Sequence, residues 1–402
     1  MLGAAFLLAG MFAAFATREF FAAHLFQSGD LARVGAAAHF APGNAEYHEL
    51  LGHLLLQTRN DVRGAAGQFH IAAALNPYDA RNWLAIAVAD GLLNDVAGQR
   101  KALERAVAVD PTTPDIAWQA ANFFLAQGDS DRALQQFRLV LASDPGRAYA
   151  TFALCSHIAD LDNLVRSLLP PQPAAYLSFV DFLVAKKDTA GAAKVWDALV
   201  ELRKPFESRH ALAYIDYLIS QHEVSRARQA WIQTTELAGL SAHLPSHENL
   251  ITNPHFESDI LNSGFDWRYR RQENVELALD SAESHGGSRS LAVTFTGGQV
   301  TEAGIAQYIP IEPGADYDFS AYYKCTNIDG AGGPRVSIED AYTGRTYFVS
   351  DELKHAEVWR QVTGKFTTDA ETQLVSLKIV RVPSGSPIRG KLWVDEFRLK
   401  QE

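Results

Sequence analysis

AALNPYDARNW at residues 73–83 has counterparts in AAHFAPGNAEY at 37–47, AVAVDPTTPDIAW at 106–118 and LASDPGRAYA at 141–150, each placing a proline after an apolar helical stretch. Pro42, Pro77, Pro111 and Pro145 are spaced by 35, 34 and 34 residues. A fixed period of this size marks a supersecondary unit that stacks on copies of itself. Proline closes each unit because it lacks the N–H that a continuing helix needs and disfavours a helical residue before it.

Within the period, small residues recur where two antiparallel helices would touch and a large one where a gap would open. Leu51-Gly52 with Leu55, and Ala120-Ala121 with Phe124, fall in the first helix of a unit. Ala65, Phe69 and Ala72, and Ala133 with Phe137, fall in the second, and Trp83 lies six residues past Pro77. This pattern resembles the tetratricopeptide repeat over residues 30–158. The resemblance implies stacked helix pairs wound into a right-handed superhelix, with a concave groove for a protein partner and no catalytic group of its own; a spacer or assembly role is the alternative.

Leu168-Leu169-Pro170-Pro171-Gln172-Pro173 cannot continue a helix, so residues 159–172 interrupt the pattern. It then resumes, with Ala193, Trp196 and Leu199 on one helix face and Ala227, Trp231 and Thr234 in like places. About six helical pairs are expected over residues 18–240.

Residues 1–17, MLGAAFLLAGMFAAFAT, hold no charged side chain and end in a small-x-small pattern at Ala14-Phe15-Ala16. That reads as an export signal or as an anchor in the inner membrane, and places the protein outside the cytoplasm. The run is shorter than the roughly 20 apolar residues of a spanning helix and no Lys or Arg precedes it. An apolar helix continuing into the first repeat is the competing reading.

The chain of 402 residues has a net charge of −11, and neither half is basic. Nucleic-acid binders need a cationic surface to displace counterions from phosphates, which excludes that class of partner. The two cysteines, Cys155 and Cys325, fall in different expected domains and read as core filler. His48, His53, His70, His157, His210 and His222 read as packing or surface residues, and His48-Glu49 lacks the second histidine of a zincin helix.

After a polar linker at 241–249 the texture changes. Short alternating stretches follow, among them AGIAQYIPI, DYDFSAYYK, RVSIEDAY and TQLVSLKIVRV, which predict an antiparallel sandwich over residues 250–402. Asn249 to Glu257 with Phe265-Asp266-Trp267, the turn from His285 to Leu291, the Pro313-Gly314…Tyr317 strand entry and the closing Leu392 to Leu399 resemble the galactose-binding-like jelly roll of carbohydrate-binding modules. The chain is thus expected to be a multidomain α + β protein, an all-α tetratricopeptide superhelix followed by an all-β jelly roll.

The resemblance implies a structural calcium held by Glu257 and Asp395 with backbone oxygens of the glycine-rich turn, although Asn253-Pro254-His255-Phe256-Glu257 departs from the usual opening. It also implies sugar binding through aromatic planes and hydrogen-bonding groups. Strand alternation puts Phe319, Ala321 and Tyr323 of DYDFSAYYK on one face and Asp318, Ser320, Tyr322 and Lys324 on the other, making Tyr322 a candidate platform. Trp267, Tyr269, Tyr342, Tyr347 and Arg381 are further candidates, each with core packing as the competing role.

No G-x-S-x-G, P-loop, H-E-x-x-H or paired CxxC occurs, and the neighbours Glu339-Asp340 and Asp395-Glu396 would point to opposite faces of a strand. The expected function is a non-catalytic exported scaffold, needing no cofactor, whose repeats bind a protein and whose sandwich binds a glycan in envelope polysaccharide handling. A protein-assembly scaffold with a structural sandwich is the alternative, and a glycan-active enzyme a second.

Overall fold

The structure, a computed structural model, describes residues 2–246 and 248–402, with side chains from residue 8 onward. Two compact units divide the chain, residues 1–175 and 176–402.

The first unit is helical: α1 (Leu2–Phe26), α2 (Leu31–Phe40), α3 (Ala45–Arg59), α4 (Val62–Leu75), α5 (Ala80–Leu92), α6 (Val96–Val109), α7 (Pro114–Ala126), α8 (Ser130–Ser143), α9 (Ala148–Cys155) and the short α10 (Leu161–Asn163). From α1 to α8 consecutive helices pack as pairs of the tetratricopeptide type. The period is written into the caps. Asp61, Asp95 and Asp129, 34 residues apart, each accept a backbone N–H in the first turn of a second helix, from Gly64 at 2.9 Å, Gly98 at 2.9 Å and Arg132 at 3.2 Å. Such caps satisfy N–H groups that have no intrahelical partner. Gly52 lies against the Phe69 ring, where a Cβ would stand 2.5 Å from Cε1, so a larger residue here requires the ring to shift. Within the interrupted stretch, residues 164–168 form a single π-turn before the prolines.

On α1, Leu8, Met11, Phe12, Phe15, Phe20 and Phe21 are exposed. Among the described residues no helix is long and apolar enough to cross a membrane; the tether expected from residues 1–17 lies partly outside them, at Met1 and the side chains of residues 2–7.

The second unit combines the end of α11 (Pro173–Ala185), α12 (Thr189–Glu201), α13 (Ser208–Ser220) and α14 (Val224–Leu237) with ten strands: β1 (Trp267–Tyr269), β2 (Val275–Asp280), β3 (Ser290–Val300), β4 (Glu302–Pro310), β5 (Asp316–Asp329), β6 (Gly333–Asp340), β7 (Thr346–Val349), β8 (Arg360–Thr367), β9 (Leu374–Val382) and β10 (Ser386–Gln401). They form two antiparallel sheets, ordered β1-β4-β9-β6-β7 and β2-β3-β10-β5-β8. Their facing sides enclose one core that includes Trp267, Ile305, Ile309, Phe319, Leu377, Leu392 and Phe397.

The compact units divide at Ala175/Tyr176, within α11, so α12 to α14 fall in the same unit as the sandwich. The reason is visible at α13 and α14, which dock on the sandwich. Trp231 is buried edge-on to Phe265, with centroids 6.0 Å apart, and its Nε1 donates to the His243 carbonyl at 3.2 Å. Asp216 accepts from the Ser263 hydroxyl at 2.7 Å and the Gly264 amide at 2.9 Å. The expected linker is therefore partly packed, with a short 3₁₀ turn at Ser241–His243. Cys155 and Cys325 are both buried free thiols, and burial pushes the Cys155 thiol up to about 12.

Candidate functional site

The outer face of the first sheet carries a groove of about 410 Å³. Its construction follows from strand alternation. Along β4, Ala303, Ile305, Gln307 and Ile309 turn inward and are buried, which leaves Glu302, Gly304, Ala306 and Tyr308 on the outer face. Ala306 pairs with Arg268 of β1 on one side and Lys378 of β9 on the other, so a small residue forms the floor between two long ones. Gly304, at φ +74°, lets the strand edge close: its carbonyl accepts the Arg270 amide at 2.9 Å, and a Cβ would collide with the Arg270 carbonyl.

Tyr269, Tyr308, Arg268, Arg270, Glu302 and Lys378 are the principal chemistry around this floor. Each cation has a carboxylate. Arg270 pairs with Glu302, Lys378 with Glu339, and Arg268 with Asp216. Arg268 also lies over the Tyr308 ring, 4.8 Å from its centroid. Aromatic surface beside alternating donors and acceptors can bind hydroxyl-rich, uncharged molecules, because hydroxyls both donate and accept.

Of the six residues singled out in the sequence, Tyr269 lines this groove and is 51% exposed, with its amide donating to Asn262 Oδ1 at 2.7 Å. Trp267 does not reach it. At 1% exposed it is a core residue between Phe256 and Phe397, and its Nε1 donates to the Asn253 carbonyl at 3.1 Å. Arg381, 2% exposed, binds the Ala331 carbonyl at 2.6 Å, so it ties a loop and has no face for a ligand. Tyr342 is held against α13 and the turn after it, stacked on His222 and donating to the Ile219 carbonyl at 2.8 Å. Tyr347 is engaged with Thr372 Oγ1 at 2.6 Å and Asp369 at 3.1 Å. Tyr322 does face outward, but from the second sheet, and the His285 ring covers it at 3.7 Å. Arg268, Arg270, Glu302, Tyr308 and Lys378 were not singled out. The alternation in AGIAQYIPI held the signal for Tyr308, which stands opposite in phase to Ile305 and Ile309.

Glu257 and Asp395 both converge on the glycine-rich turn, but as acceptors of its amides. Glu257 accepts from the Ser288 amide at 2.6 Å and hydroxyl at 2.5 Å, and these bonds hold its carboxyl below the ordinary range. Asp395 accepts from His285, Gly286 and Glu396 amides at 2.8, 3.1 and 2.7 Å, while burial pushes its carboxyl up. A calcium cage needs six to eight oxygens aimed at one point, whereas this turn aims N–H groups at the carboxylates. The donor set as arranged does not fit that ion, and among the described residues no group of three or more His, Cys, Asp or Glu could hold a metal. Glu339 and Asp340 likewise form no acid/base couple: Glu339 pairs with Lys378, and Asp340 caps its own turn through the Tyr342 amide at 2.9 Å.

Residues 248–384 match the family model described as carbohydrate binding domain. This part of the chain is a carbohydrate binding domain by sequence. Among solved structures, "CBM4 structure and function" is 15% identical, covers 38% of this chain and 99% of its own, with a TM-score of 0.30. "Crystal structure of MamA" is 16% identical over 43% of this chain and 85% of its own, with a TM-score of 0.28. The PilF structure from Pseudomonas aeruginosa is 18% identical over 48% and 92%, also at 0.28. Likeness at this level bears on neither ligand nor partner. No curated protein matches the sequence. The combination of a carbohydrate binding domain with tetratricopeptide-type helices supports a binding or scaffold role.

Proposed function

We propose that the carbohydrate binding domain takes an uncharged glycan in the groove over β1, β4 and β9, while the helical repeats hold a protein partner. The observation that carries this reading is the pairing of every groove cation with a carboxylate around Tyr269 and Tyr308, which favours hydroxyls over an anionic sugar. The protein acts as a non-catalytic scaffold that brings its partner to a polysaccharide. Export, and work at the cell envelope, extend the same reading and rest on the charge-free run at 1–17 and the exposed apolar residues of α1. The docking of α13 and α14 on the sandwich supports a second reading, in which the domain serves assembly alone.

The test is binding of the full chain to neutral and uronate-rich polysaccharides, by titration calorimetry. Saturable binding to a neutral polymer, lost in Tyr308→Ala, supports the proposal. Preference for the uronate polymer, or binding unchanged in Tyr308→Ala, removes it. No binding to either favours assembly.

A further inference from the structure

Of the three cations lining the groove, Arg270 and Lys378 find their carboxylates within the sandwich, but Arg268 takes its own from a helical repeat. Asp216 on α13 uses both oxygens. One accepts the Ser263 hydroxyl at 2.7 Å; the other accepts the Gly264 amide at 2.9 Å and Arg268 Nη2. The Gly264 carbonyl also accepts Nη2 at 2.8 Å and Nε at 3.3 Å. The guanidinium is therefore clamped between α13 and the chain at Gly264, and it is clamped beside Tyr308.

We propose that Asp216 is a positioning residue for the glycan groove, so that sugar affinity of the carbohydrate binding domain depends on the last helix pair. The proposal rests on the groove being the glycan site. A guanidinium has five N–H donors in one plane. With Nε and Nη2 committed, Nη1, which makes no hydrogen bond among the described residues, is the group that meets a sugar hydroxyl. Asp216 does not line the groove. It acts by fixing the plane of Arg268, whose long side chain otherwise samples many rotamers and loses that freedom on each binding event. The helical part of the unit thus completes a site that its sequence alone would assign to the sandwich.

The experiment is calorimetry of the full chain with xylohexaose, cellohexaose, laminarihexaose and mannohexaose, comparing wild type, Asp216→Asn, Arg268→Gln, the double variant, Ser263→Ala and Tyr308→Ala. Asp216→Asn should weaken the best of these ligands by about fivefold to tenfold, the scale of one positioned hydrogen bond. The double variant should bind no more weakly than Arg268→Gln alone, since both changes remove one interaction. Ser263→Ala removes the bond to the other carboxylate oxygen of Asp216, the one that Arg268 does not use, and should leave affinity unchanged. Wild-type affinity in Asp216→Asn, full additivity in the double variant, or an equal loss in Ser263→Ala each overturns the proposal. If Tyr308→Ala loses binding while Asp216→Asn does not, the groove stands and this inference alone fails. Binding unaffected by Tyr308→Ala, or no binding to any of the four, removes both.

Discussion

The ring of Tyr342 lies on that of His222, with centroids 3.8 Å apart and planes 12° from parallel, and the Tyr342 hydroxyl donates to the Ile219 carbonyl at 2.8 Å. Burial pushes this hydroxyl up to about 12, so it remains a donor throughout the physiological range. A loop of the sandwich is thereby fastened to the turn between α13 and α14. Tyr342→Phe keeps the stack and removes the bond, and should cost about 1 kcal/mol. Chemical denaturation followed by tryptophan fluorescence should report that loss, with glycan affinity unchanged.

Trp267 and Tyr308 stand on opposite faces of the same sheet and should separate stability from binding. Trp267→Ala empties a site in the core between Phe256 and Phe397 and should destabilise the second unit by about 3–5 kcal/mol. Tyr308→Ala should lose glycan binding with a much smaller shift in the melting temperature. Paired melting and binding curves for the two variants decide the matter.

Asp280 accepts from Trp393 Nε1 and Lys391 Nζ, each at 2.9 Å, and these bonds lower its carboxyl from 3.8 to about 2. A carboxyl depressed in the folded state stabilises the fold above its unfolded value, and this contribution fades as pH falls through the folded one. The melting temperature should therefore drop as pH falls from about 4 towards 2. Asp280→Asn should be less stable than wild type at neutral pH, and its fall over that window should be shallower. Parallel slopes would show that Asp280 contributes nothing to acid sensitivity.

Glu257 and Asp395 hold the glycine-rich turn by accepting its amides. Added calcium or a chelator should leave the melting temperature of the full chain unchanged, whereas Glu257→Ala should lower it by leaving the Ser288 and Arg289 amides without their acceptor. A clear upward shift with calcium would mean that these carboxylates turn to a metal in its presence.

Gly52 faces the Phe69 ring closely enough that a methyl group needs the ring to move. Gly52→Ala gains helix propensity but overpacks the contact, and a net loss of about 1–3 kcal/mol is expected. Thermal unfolding monitored by far-ultraviolet circular dichroism would measure it; a stabilised variant would show that the ring yields.

The helical repeats were legible because their signals are local. Proline at the end of each unit and glycine or alanine at the contact act within a few residues or between adjacent helices. The sandwich was legible through alternation for the same reason, and Phe319 and Ala321 face the core as the pattern requires. The site was much less so. Alternation assigns a residue to one of two faces without saying what covers that face, and Tyr322, Tyr342 and Tyr347 are each engaged by groups distant in sequence.

By itself, then, the sequence determined the helix pairs, the strands and which side chains share a face, because backbone geometry and capping are settled by near neighbours. Tertiary structure alone decided that Trp267 and Arg381 are enclosed, that Tyr269 and Tyr308 border a groove, and that Asp216 from a helix reaches Arg268 on a strand. Exposure and charge pairing are properties of the surface left after the layers have packed. Residues about 50 positions apart in the chain share that surface only once the fold has brought them together.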